Sequence, residues 1–214
     1  MIVLIIQYNS LMTDSRGSRT VSSSPKNDRR THIYTAVTAL FIDRGYHGTG
    51  IQDISEAVGL GRGALYYHIG SKEQLLFDIC SSLLGEALAA TLPAACSDDP
   101  PDVRLRNLAR ALLRHHADNG DGWSVASHEA RFLSAEHRAE INAARDRFEH
   151  VWHRVLDEGA EAGLWRKADA IDVRGVLGVL NSAARWVDPH GPLSPEEIAD
   201  RYVSLLLDGL RERP

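Results

Sequence analysis

The chain has 214 residues, a net charge of -5 and two cysteines, a length that holds a compact small unit plus one core-bearing domain of a soluble protein. Charge is unevenly divided: residues 15–72 hold eight Lys or Arg against four Asp or Glu, so the remainder is strongly acidic and is not expected to bind a polyanion. Cys80 and Cys96 lack metal-type CxxC spacing and read as reduced packing residues of a cytoplasmic protein.

Residues 1–6 are apolar but too short to span a bilayer and lack a preceding basic segment, so neither a signal peptide nor a membrane partner is expected. Met12 is an alternative start. Residues 13–28 are rich in Ser, Thr, Arg and Asn and read as a mobile arm. A solvated tail is the simpler role for Arg16 and Arg19, a minor-groove contact the other.

A first helix is predicted from residue 27 or 28 to Arg44, with Ile33, Val37, Leu40 and Phe41 on one face and Gly45 as its stop. Thr49 is placed to cap the next helix and to turn backbone N–H groups toward a phosphate. That helix should bury Ile51, Ile54, Ala57 and Val58, and Gly59 supplies a turn that needs positive φ. A second short helix, Arg62–Ile69, points Leu65 and Ile69 inward. Arg62, Gly63, Tyr66, Tyr67 and His68 are left around its circumference, side chains that suit phosphates and base edges. An ordinary pair of packed helices is the alternative; turn, periodicity and an aromatic-basic face coinciding in one place favour DNA.

Ser71-Lys72-Glu73-Gln74 is a capping box, opening a helix from Lys72 to about Thr91 that starts at the DNA face and ends in the second domain. Pro93 and Asp98-Asp99-Pro100-Pro101 mark a loop. Further helices are predicted at 102–118, 122–133, 135–162, 169–187 and 195–211, the last opened by the Ser194-Pro195-Glu196-Glu197 capping box. No strand pattern appears, so the fold class is all-α: an arm at 1–26, a three-helix helix-turn-helix domain at 27–71 and a helical-bundle domain at 72–214. Within the bundle, Ile141, Phe148, Trp152, Val155 and Leu156 form a core-facing stripe.

Ten histidines raise the question of metal, but neither His150 with His153 nor the adjacent His115 and His116 completes a ligand spacing such as HExxH. No glycine-rich phosphate loop, GxSxG elbow or activated cysteine is present. No metal, cofactor or enzymatic activity is expected.

The run Leu65, Tyr66, Tyr67, His68, Ile69, followed by Gly70, Ser71 and Lys72, resembles the end of the recognition helix in the TetR family of bacterial one-component regulators, over roughly the first third of the chain. Ile69 stands where the family has phenylalanine, and Gly61 and Gly63 flank Arg62 at the start of the helix. The resemblance implies that Thr49, Tyr66, Tyr67, His68 and Lys72 hold phosphates while Arg62, Gly63 and Gln52 face bases. Arg62 bidentate to guanine would supply ~1–3 kcal/mol of discrimination, with a phosphate contact as its alternative.

It also implies a homodimer whose last two helices form a four-helix bundle with the partner. Val173, Val176, Leu177 and Leu180 would lie on one, Ile198, Tyr202, Leu205 and Leu206 on the other, and Gly175, Gly178, Ala183 and Ala184 would allow close approach. Two readers on one duplex face require an inverted-repeat, double-stranded operator. An effector pocket is implied among Trp123, His128, Phe132, Phe148 and Trp152, with Arg131, Asn181 or Arg185 fixing the ligand's polar end; ordinary core is the alternative for each ring. The function implied is a repressor released by a small apolar or acyl-CoA-type effector, in keeping with regulators of lipid, steroid or acyl-CoA catabolism. An architectural or constitutive DNA binder without an effector is the alternative.

Overall fold

The computed structural model describes residues 25–210. The expected arm with Arg16 and Arg19, the apolar residues 1–6 and the alternative start Met12 lie outside the described residues. The helices are α1 Pro25–Gly48, α2 Ile51–Val58, α3 Arg62–Ile69, α4 Lys72–Ala95, α5 Pro101–Asp118, α6 Gly120–Glu129, α7 Ala135–Glu161, α8 Ala170–Ala183 and α9 Pro195–Leu210, with a 3-10 turn Ala130–Phe132 after α6. No strand occurs among the described residues, as the all-α expectation required.

Local chemistry sets most helix ends. Gly45, at φ 71°, kinks α1 where the sequence indicates its stop, and three more helical residues follow. Side-chain oxygens cap the starts: Ser71 accepts from Gln74 N at 2.9 Å, Ser134 from His137 N at 3.2 Å, and Asp169 from Ile171 N and Asp172 N at 2.7 and 3.0 Å, each satisfying an amide that the helix leaves without a partner.

Three boundaries differ from the sequence reading. Helix α4 runs through Pro93 to Ala95, because an exposed proline in the last turn forfeits one backbone bond while Ala87, Thr91 and Ala95 stay on the buried face. The segment 122–133 is α6 followed by a 3-10 turn. Helix α8 stops at Ala183 and tightens into i→i+3 bonds, Ala184 N to Asn181 O and Trp186 N to Ala183 O.

From Ile33 onward the chain forms one compact unit, with two hydrophobic clusters that part inside α4 rather than at Ser71. The first joins Ile33, Val37, Phe41, Ile54, Leu65 and Ile69 to Leu75, Leu76, Ile79, Cys80 and Leu83, and takes in Val125, Leu133 and Ile141. The second runs from Ala87 and Ala95 through Leu105, Leu108, Leu112, Trp152, Val155, Val173 and Leu180 to Val203. The stretch Arg62–Ala95 is apolar enough by composition to cross a membrane, but Gly70 divides it into two helices whose apolar faces fill these clusters. Paired arginines fasten α9 to α5: Arg110 is bidentate to Asp200 at 2.8 Å, and Arg114 to Glu196 at 2.8 and 2.6 Å.

Candidate nucleic-acid interface

Gly59 makes the turn between α2 and α3 at φ 65°, ψ 32°, a left-handed conformation that costs a residue with a Cβ about 1–2 kcal/mol. Leu60 N closes it on Ser55 O at 3.0 Å. Ile54 is fully buried below it, with Ile51 and Val58 half-buried, whereas Ala57 is exposed. The stripe is therefore narrower than the sequence spacing indicates. Across the turn, Leu65 and Ile69 are buried, which aims the rest of α3 outward: Arg62, Gly63, Tyr66 and Tyr67 are exposed, Tyr67 by 79%, and His68 is half-buried.

Arg62 Nε donates to Gln52 Oε1 at 3.1 Å, and Gln52 Nε2 donates to Glu56 Oε1 at 2.8 Å. Beside this row Asp53 is otherwise engaged, accepting from Gly50 N at 2.6 Å and pairing with Arg44 at 3.1 Å.

Two of the expected phosphate contacts face inward. Thr49 is fully buried, its Oγ1 donating to Leu40 O at 3.2 Å and Gly45 O at 3.0 Å, and Gly50 occupies the N-cap of α2. Its hydroxyl ties the end of α1 and reaches neither the cap nor a phosphate. Lys72 Nζ donates to Tyr46 O at 2.9 Å and Thr49 O at 2.8 Å, and stands 4.3 Å from the centre of the Tyr46 ring. Desolvation lowers its pKa, with the nearby Asp53 carboxylate opposing. Its ammonium serves as a clamp on the 46–49 turn.

That turn is also held from the other side, by residues the sequence reading does not select for it. Tyr46 N donates to Glu129 Oε2 at 3.2 Å, the Tyr46 ring stacks on Phe132 at 5.6 Å, and His47 meets Phe132 edge-on at 4.2 Å. Phe132, expected in a pocket, is thus part of the support beneath the reader. Glu73 accepts from Ser134 N at 2.8 Å and contacts His137 Nδ1 at 2.8 Å, with His137 stacked on Phe77 at 4.0 Å. Burial would raise the Glu73 pKa, but the Ser134 amide and His137 together hold it below its ordinary value.

In the second cluster, Phe148 and Trp152 are buried, and Trp123 packs against both clusters. Trp123 Nε1 donates to His115 Nδ1 at 3.2 Å, and its ring meets His116 edge-on at 4.8 Å. Among the described residues, neither ring nitrogen of His116 nor the indole nitrogen of Trp152 meets hydrogen-bond geometry with a partner. Burial pushes the His116 pKa down to about 4, with His115 adding to the effect and the Leu180 backbone opposing it.

The expected polar anchors Arg131, Asn181 and Arg185 are all exposed, as is His128 of the expected pocket rings. Asn181 lies on the outer face of α8, and Arg185 lies past its end. A cleft of about 700 Å³ lies between the end of α7 and the loop after it, lined by Asp157, Ala160, Glu161, Gly163, Leu164, Trp165, Arg166 and Lys167; none of the expected pocket residues borders it. No group of three or more potential metal-ligating side chains occurs among the described residues.

The expected dimer stripe needs correction as well. Val173, Val176, Leu177, Leu180 and Ile198 are buried in the protomer's own core and Tyr202 and Leu206 are half-buried, so only Leu205, at 68%, is an open apolar side chain of that set. The outward face of α8 carries instead Ile171, 74% exposed, with Gly175 and Gly178, at which an added Cβ would meet nothing. Trp186 follows at 54% exposed, edge-on to Tyr202.

Residues 33–79 match the family described as "Bacterial regulatory proteins, tetR family", and residues 98–210 match "Tetracyclin repressor-like, C-terminal domain". The chain is similar to the HTH-type transcriptional repressor KstR2 of Mycobacterium tuberculosis, 27% identical over 191 residues, covering 86% of this chain and 94% of that one. Among solved structures it resembles the TetR family regulator PfmR of Thermus thermophilus, with TM-score 0.76, 36% identity and coverage of 84% and 99%. It also resembles AibR in complex with isovaleryl coenzyme A and operator DNA, with TM-score 0.74, 29% identity and coverage of 84% and 98%. With both halves matched and the turn, the exposed reader face and the all-α bundle in place, the chain belongs to the TetR family of helix-turn-helix transcriptional regulators.

Proposed function

We propose that this protein is a ligand-responsive repressor that binds an inverted-repeat operator as a homodimer and is released by a small apolar or acyl-CoA-type effector. The observation that carries the reading is the outward face of α3, where Arg62, Tyr66 and Tyr67 are exposed above a buried Leu65 and Ile69. Such a face has few uses besides a groove of phosphates and base edges. The exposed Ile171, Trp186 and Leu205 supply an apolar face for a second copy, and two-fold pairing would set two α3 helices about one helical turn apart. For the effector, support comes from the solved AibR complex with isovaleryl coenzyme A and from the ketosteroid regulator KstR2, together with the apolar interior around Trp152.

Release follows if the effector binds one reader spacing more tightly than the other, since a ligand shifts a two-state balance only by its differential affinity. Fluorescence anisotropy on a duplex from the gene's own upstream region, repeated across salt and with acyl-CoA esters, fatty acids and aromatic compounds, tests the reading. Tight, salt-dependent binding relieved by one compound class supports it. Binding that none relieves favours an architectural or constitutive DNA binder.

A further inference from the structure

The three side chains Glu56, Gln52 and Arg62 form a one-way relay. Glu56 and Gln52 sit four residues apart on α2 and face each other, while Arg62 reaches back across the Gly59 turn from the first position of α3. A carboxylate can only accept, so it takes the amide nitrogen of Gln52 and turns the carbonyl oxygen toward Arg62. We infer that Glu56 is a positioning residue for base specificity, holding Arg62 through Gln52 so that its two Nη groups are presented to a guanine.

Each member's remaining capacity agrees with this division. Arg62 spends Nε on Gln52, and its Nη atoms have no partner among the described residues. Gln52 has its oxygen and one N–H engaged in holding its neighbours, which leaves a single N–H and one oxygen lone pair and makes Arg62, with both Nη groups, the stronger base reader. Gly61 and Gly63 put no side chain next to the guanidinium, and a Cβ at either would meet nothing within 4 Å. Among the described residues no other contact restrains Arg62. Asp53 cannot replace Glu56, being committed to Gly50 N and Arg44.

The relay makes a signature that a solvated surface glutamate would not. Losing an exposed carboxylate next to DNA raises affinity for every duplex, whereas losing the restraint on Arg62 lowers the preference for guanine. The inference rests on the proposal that α3 reads the major groove. Full-length wild type, Glu56→Ala and Gln52→Met are each used to select sites from a random duplex pool. Anisotropy then compares the wild-type site, the same site with its selected guanine replaced, and a scrambled duplex, after circular dichroism confirms equal helix content.

Wild type is expected to select a guanine in each half-site and prefer it by about tenfold or more, and both variants are expected to keep only about two- to threefold preference. Glu56→Ala should meanwhile bind the scrambled duplex more tightly. Glu56→Ala raising affinity for all three duplexes by one common factor, with guanine preference intact, overturns the relay alone. A wild type that selects sites without guanine overturns the placing of Arg62, and the relay with it.

Discussion

The ammonium of Lys72 donates to the carbonyl of Thr49 at 2.8 Å, tying the first turn of α4 to the residue just before the N-cap of α2. A second bond to Tyr46 O at 2.9 Å makes the lysine a bracket across the turn. Lys72→Ala should therefore lower unfolding stability by about 1.5–3 kcal/mol, the usual contribution of a charged hydrogen bond. DNA affinity should fall with it, while the slope of log affinity against log salt changes by less than the roughly 0.9 unit expected of a lost phosphate contact. Urea unfolding and salt-dependent anisotropy of the one variant check both halves. A full unit of slope lost with stability unchanged would return Lys72 to the phosphates.

Two glycines in the reader should respond in opposite ways. Gly59 has left-handed φ and open space about a Cβ, so Gly59→Ala should destabilise by about 1–2 kcal/mol from the backbone alone. Gly63 lies inside α3 with negative φ and equally open space; Gly63→Ala should raise stability by up to about 1 kcal/mol through helix propensity yet weaken operator binding, because the added methyl stands where the groove comes close. Thermal melts and anisotropy separate the two effects.

Stability should fall in acid through His116. Its folded pKa, about 4, lies below the ordinary 6.5, so the unfolded chain binds the proton first. The penalty is absent above pH 6.5, grows as pH drops, and is complete below pH 4, reaching about 3 kcal/mol. His116→Leu should flatten this part of the curve of unfolding free energy against pH. An unchanged slope between pH 6.5 and 4 would show that the ring is not held neutral.

The proposed homodimer predicts a further outcome. Ile171→Glu and Leu205→Glu each place a charge on the open apolar face without touching the protomer core, since both side chains are more than two-thirds exposed. Each variant should sediment as a folded monomer, and half-site cooperativity on the operator should vanish. Val173→Glu, in the buried set, should instead unfold the protein.

The reader is legible in the sequence because its signals are local. Gly59, the inward Leu65 and Ile69, and the exposed Tyr66 and Tyr67 are all fixed within twenty residues by turn chemistry and helical period. Thr49 and Lys72 escape such a reading because their partners are backbone carbonyls, which carry no sequence signature; Lys72 reaches back 26 residues to Tyr46. On α8 the difference is one of phase. That helix is apolar on two sides, Val173, Val176, Leu177 and Leu180 inward and Ile171 with two glycines outward, and periodicity finds a stripe without saying which neighbour covers it. Asn181 and Arg185 suit ligand anchors by residue type, but the phase of α8 turns Asn181 outward and the early stop of the helix at Ala183 leaves Arg185 on the surface beyond it. The histidines of α5, weighed in the sequence as metal ligands, are among the polar groups that face the interior.

Helix α4 contributes to both hydrophobic clusters, Leu75 to Leu83 in the first and Ala87 to Ala95 in the second. With 24 residues it is a rod about 36 Å long. Pivoted at its Ala95 end, such a rod turned through about 5° carries Lys72 sideways by about 3 Å, by the same rise per residue. Under the proposed effector response, small rearrangements of side chains around Trp152 and His116 would be enlarged at the reader into a shift comparable to the roughly 3.4 Å step between successive base pairs, a change of fit to DNA that needs no large motion in the protein's own interior.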